Sequence, residues 1–135
     1  VAIRVHPLTR VVSDKEGRPE IVLHLECRDA WGDSAKALGA VMVRLVSTGS
    51  ADAGGAGGTA AALEGGATRW DVDLSNLETN ASMFDPATRT YRMQLTGVPT
   101  WVAATGGATR KIVLQATLTP PGGDGVMSDE FEVRR

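Results

Sequence analysis

His6, His24 and a scatter of carboxylates are the residues of this chain whose types could do chemistry. Only the two histidines could supply an imidazole base, and no Ser or Cys stands in a nucleophile motif, so covalent catalysis lacks its activated pair. If the segments around the histidines pair as a hairpin about Lys15, position sums near 30 set His6 opposite His24, Arg4 opposite Glu26 and Ala2 opposite Arg28. Both imidazoles then lie on an outer sheet face, where with Glu26 they could take a divalent metal. A stable zinc site uses three or four protein ligands, so two solvated histidines on a sheet exterior are the expectation. A metal-dependent hydrolase using His6, His24 and nearby acids is the enzymatic alternative.

The carboxylates gather where turns are expected: Asp14 and Glu16, Asp29 and Asp33, Asp71 and Asp73, Asp85, Asp124 and Asp129. Calcium needs several hard oxygens converging within about 2.6 Å. Asp29, Asp33 and Asp85 are the set that loops meeting at one end of a sandwich could bring together, and calcium is the one cofactor in view. There is no Asp-x-Asp-x-Asp-Gly ladder, however, and Asp and Gly also dominate ordinary turns through their backbone preferences. Paired carboxylates for glycoside hydrolysis lack flanking aromatics to hold a sugar. Trp31 and Trp101 fall in loops, where an exposed indole could stack on a glycan or anchor a protein partner, but in a small domain poor in aromatics the expectation is that each folds back to lid an open end of the sandwich. Cys27 is the single cysteine, cannot form an internal disulfide, and reads as a small buried hydrophobe.

The elements that must position these residues are strands. Period-two alternation predicts strands over 2–8, 20–28, 40–47, 68–74, 88–96, 110–119 and 126–134. Asp14 to Arg18 forms a charged turn between the first two. A hairpin whose paired positions sum to about 245 sets Ile112 opposite Val133 and Leu114 opposite Phe131, which gathers apolar side chains on one face. Ser75 to Glu78 has capping-box spacing and predicts one short helix to about Ser82. Tyr91, entering a strand just after a turn, is expected to bury its ring and bond its hydroxyl to turn backbone. Seven strands with short turns and at most one short helix predict an all-β, antiparallel, two-sheet sandwich.

Composition bounds the rest. The chain has 135 residues, 42% of them hydrophobic and 22% charged, which suits one domain over 1–135 with a single core. Of its 16 glycines, seven fall in residues 49–66, and Gly plus Ala fill 13 of those 18 positions, so a mobile loop is expected there. That segment holds no Lys and no Gly-Lys-Ser/Thr ending, so it is a poor phosphate loop. A net charge of -2 gives no basic footprint, which argues against nucleic acid or an anionic membrane as the main partner. No stretch approaches the roughly 18 consecutive apolar residues of a membrane span. The chain begins at Val1 without Met, so any export signal or tether is expected to have been removed before it.

Two stretches carry a family resemblance. Arg28-Asp29-Ala30-Trp31-Gly32-Asp33, followed by the segment from Gly39 to Leu45, is similar to the Asp-x-x-Gly turn and next strand of bacterial immunoglobulin-like and carboxypeptidase regulatory-like (transthyretin-like) domains. Phe84-Asp85-Pro86-Ala87-Thr88-Arg89-Thr90-Tyr91, running on to Leu95 and then Gly97-Val98-Pro99, resembles their Asp turn leading into a Tyr-bearing strand. The resemblance covers about a quarter of the chain and implies that the sandwich is of Ig-like (Greek-key) type and is a non-catalytic module, a spacer, assembly or recognition domain, of an exported or cell-envelope protein. A calcium-stabilised carbohydrate-binding module is the second expectation. The segments 2–8 and 68–74 are the edges expected to accept a partner strand.

Overall fold

The structure is a computed structural model and describes residues 2–49, 68–98, 102, 110–123 and 125–133. The stretch 50–66, Trp101 and Asp124 therefore lie outside the described residues. Among the described residues ten strands and one helix follow in chain order: β1 (Ala2–Val5), β2 (Arg10–Ser13), β3 (Pro19–Arg28), β4 (Ser34–Ala35), β5 (Ala40–Gly49), β6 (Thr68–Asp73), α1 (Leu77–Met83), β7 (Phe84–Asp85), β8 (Thr90–Leu95), β9 (Arg110–Thr119) and β10 (Met127–Val133). They form an all-β sandwich of two antiparallel sheets. One sheet runs β1-β3-β8-β7 with β2 and β4 also on β3, and the other runs β10-β9-β5-β6.

The seven strands read from alternation are all present, and three short ones add to them. Two of these, β4 and β7, have only two residues each, too few for periodicity to register. The third, β2, lies beyond the expected leading strand 2–8, which itself ends at Val5. β1 pairs with β3 at the expected sum, with Ala2 on Arg28 and Arg4 on Glu26, whereas β2 pairs Arg10 with Val22, two positions further on. The extra residues bulge out at Pro7 and Leu8, where Pro has no N–H to leave unpaired. A turn closes the bulge, the Thr9 N–H donating to the His6 carbonyl at 3.0 Å. Thr9 Oγ1 then accepts from the His24 N–H at 3.0 Å, repairing the ladder. Because two residues are inserted, every side chain keeps its face.

The core lies between the sheets. Ile21, Leu23, Leu25 and Cys27 of β3 and Tyr91, Met93 and Leu95 of β8 meet Val41, Val43 and Leu45 of β5 and Ile112, Leu114, Ala116 and Leu118 of β9, all buried. The β9–β10 register has the expected sum, with Ile112 on Val133 and Leu114 on Phe131. The open sides are laced by side chains. Val5 of β1 donates its N–H to Asp129 Oδ2 on β10 at 2.9 Å, and Trp70 of β6 donates Nε1–H to the Thr96 carbonyl just past β8 at 2.7 Å.

Tyr91 behaves as expected and recruits a residue that alternation cannot show. Its ring is fully buried and packs edge-on against Phe84, centroids 5.3 Å apart. Its hydroxyl accepts from the Ala37 N–H and donates to Asn80 Oδ1, both at 2.9 Å. Asn80 Nδ2 in turn donates to the carbonyls of Ala37 and Leu74, which fixes α1 on the sandwich.

Candidate functional site

Trp31 sits at the tip of the turn joining β3 to β4 and is 85% exposed, the most open of the large hydrophobic side chains described. The turn beneath it is built by Asp29. Its Oδ1 accepts from the Trp31 N–H at 2.9 Å and the Asp33 N–H at 3.0 Å, while Gly32 takes a φ of 83° that a glycine adopts without strain. A second turn is tied to this one. Asp85 Oδ1 accepts from the Ala87 N–H, the Asp85 carbonyl accepts from the Arg89 N–H, and Arg89 Nη2 donates to the Ser34 carbonyl at 2.9 Å. Arg89 holds a φ of 58°, a left-handed conformation rare outside glycine, so the bridge between the two turns is kept at a backbone cost. The indole is thus displayed on an ordered base rather than folded back as a lid.

The three aspartates of the calcium expectation are placed as follows. Asp29 and Asp85 each use Oδ1 to order their own turns, and Asp33 donates its N–H to Asp29. Arg89, bound to Ser34, brings a cation between the two turns. Asp14 and Asp73 do the same turn work, accepting from Glu16 and Arg18 and from Ser75 respectively. Among the described residues no three His, Cys, Asp or Glu side chains converge as a metal-holding group.

The outer face of the six-stranded sheet departs from expectation. The register sets His6 across from His24, but His24 is only 5% exposed and Glu26 only 7%, so these are not solvated groups on a bare exterior. β3 is central, with β1 and β2 on one edge and β8 on the other, and its outward side chains find partners on the neighbouring strands, His24 on Thr90 and Glu26 on Arg4. His24 Nδ1 lies 3.1 Å from Thr90 Oγ1, itself 2.7 Å from Thr88 Oγ1. His6 Nδ1 accepts from the Leu8 N–H at 3.1 Å. Each imidazole therefore has one nitrogen engaged already. Burial pushes His24 below the ordinary histidine value, and Arg92, His6 and Arg10 push the same way against Asp85.

Glu26 is the hub beside it. Its Oε1 meets Arg4 Nε and Arg28 Nε at 3.2 Å each, and its Oε2 accepts from Ser34 Oγ at 2.9 Å. Burial raises its carboxyl, but Ser34, Arg28 and Arg4 outweigh burial and hold it below the usual range. Cys27, next in the chain but facing the core, has its thiol pushed up to about 11 by burial and by Glu26, which keeps it protonated and unreactive.

The two expected edges differ. On β1 the Val5 N–H is already taken by Asp129, whereas β6 pairs only with β5 among the described residues and carries Arg69 and Asp71, joined at 3.0 Å, on its exposed face. A shallow groove of about 360 Å³ opens beside β6, lined by Met42, Asp71, Asp73, Thr117 and Thr119 among others. No described helix is long and apolar enough to cross a membrane. Comparison with family models, with curated proteins and with solved structures finds no match to this chain.

Proposed function

We propose that the chain is a non-catalytic recognition module of an exported or cell-envelope protein, with Trp31 as its ligand contact. The observation that carries this reading is the 85% exposure of Trp31 on a turn ordered by Asp29 and braced by Arg89. A large indole on a rigid turn offers much contact area at little entropic cost, which is what binding surfaces use for anchors. An immunoglobulin-like arrangement fits the strand order. The first, second and fifth long strands (β1, β3, β8) share one sheet, and the third, sixth and seventh (β5, β9, β10) share the other with the fourth, β6. The engaged imidazoles and the buried, protonated Cys27 favour binding over catalysis.

Tryptophan emission tests the reading. Titration with soluble glycans is expected to shift emission in the parent chain and not in Trp31→Ala; a ligand that is a protein surface would instead show as retention on a partner column lost in the same variant. Emission fully protected from acrylamide would remove the premise, since an accessible Trp31 is what the reading rests on.

A further inference from the structure

We propose that the outer face of the six-stranded sheet binds a sulfate or phosphate dianion between Arg10 and Arg92, above His24. Register brings these residues together. Arg92 on β8 is opposite His24, which on its other side faces His6, the first residue beyond β1; Arg10 on β2 is opposite Val22, one outward position along β3. Strands lie about 4.8 Å apart, so β2 and β8 flank β3 at roughly 10 Å, a gap two arginines reach across from opposite sides.

The floor between these two strands is covered. Val22 and His24 point outward from the core, yet are 6% and 5% exposed. Gln94, the outward neighbour of Val22 on β8, is turned away to Glu20 Oε1 at 2.6 Å. Arg10 and Arg92 stand at the sides of the pair by register, and both are exposed.

Charge completes the case. Of the acids of this face, Glu26 is paired with Arg4 and Arg28, while Glu20 accepts from the Gln94 amide and Asp85 from the Ala87 N–H and both keep their charge. Arg10 and Arg92 belong to none of the ion pairs of the described residues. His24 is faced by His6 just beyond β1, Arg10 from β2, Arg92 from β8 and Asp85 from β7, so two guanidiniums stand against one carboxylate. Two guanidiniums without carboxylate partners match one dianion in charge, and their planar forks match its oxygens in geometry. The dianion would also relieve the field that disfavours protonated His24.

Imidazole resonances of the full chain, followed by NMR at constant ionic strength with chloride as the replaced ion, test this. Inorganic sulfate and inorganic phosphate are each expected to give saturable shifts at His24 and His6 and to raise the apparent pKa of His24. Acetate, a monoanion, is expected to bind at least about fivefold more weakly. Arg10→Gln and Arg92→Gln, both outward-facing and checked for folding by circular dichroism, are each expected to weaken sulfate binding at least fivefold, and Arg69→Gln on the other sheet to leave it unchanged. Shifts that grow linearly without saturation, or arginine variants that titrate like the parent chain, would overturn the proposal.

Discussion

The Tyr91 hydroxyl and Asn80 Oδ1, 2.9 Å apart and both buried, join a strand of one sheet to the helix that leads into it. Tyr91→Phe keeps the ring but leaves Asn80 Oδ1 and the Ala37 N–H without their partner. The expected loss is about 1–3 kcal/mol, read from urea unfolding with an unchanged m-value. Asn80→Ala is expected to fall in the same range, and the double variant to lose less than the sum, because the two side chains serve one network.

Gly39 carries a steric prediction. At a φ of +144° a Cβ there would lie 2.5 Å from the Thr119 carbonyl oxygen, and Gly39 itself accepts from the Leu74 N–H. Gly39→Ala must therefore part β5 from the end of β9, and is expected to lower stability by about 2–3 kcal/mol in thermal or urea unfolding. Gly17→Ala meets nothing within 4 Å and is strained only by its φ of +80°, so a smaller loss of about 1 kcal/mol is expected.

Acid is expected to destabilise the domain in two stages. His24 has a folded pKa below its ordinary value of 6.5, so the unfolded chain binds the proton more readily. Its contribution is complete above about pH 6.5, is lost as pH falls toward the lower folded value, and then levels off. Glu26 is held below its ordinary 4.5, so its contribution is present above that pH and is lost as pH falls through the folded value. Urea midpoints measured from pH 7.5 to 3 should show both declines, and His24→Gln should flatten the first alone.

Cys27 is 4% exposed with its thiol raised to about 11, so a thiol-disulfide reagent at pH 8 meets almost no thiolate on a buried sulfur. Labelling is expected to follow opening of the fold and to speed up in proportion when Tyr91→Phe lowers stability. Labelling as fast in native buffer as in denaturant would contradict the burial.

The sandwich was legible in the sequence wherever alternation is long. β5, β8 and β9 bury essentially one row of side chains each, β3 buries its apolar row and most of its outward row too, and the Ile112–Val133 pairing follows from matching apolar faces across one turn. The bulge at Pro7 and Leu8 was not legible, because a period of two is blind to an insertion of two. His24 was misjudged for a related reason. Its alternation marks it as outward, but its cover comes from β8, more than sixty residues away, and no local pattern reports which strand lies there. Asn80 is similar: a polar residue in a short helix reads as surface, and only its partners Tyr91, Ala37 and Leu74 make it interior. At the candidate site, the Asp29 turn was readable from turn chemistry, but the exposure of Trp31 was not, since a scarce indole is expected to fold back as a lid. The grip of Arg89 on Ser34, 55 positions apart in the chain, was not.

Asp129 alternates in phase with Met127, Phe131 and Val133, the inward row of β10, and its carboxylate plugs the Val5 N–H of β1. A charge aimed inward at a sheet margin does little for the core, but it denies that margin to other molecules. Any chain that would extend the six-stranded sheet at β1 must first displace a carboxylate held within the same molecule. The domain thus carries its own guard against edge-to-edge aggregation, and can sit crowded beside copies of itself without its sheets growing into one another at that side.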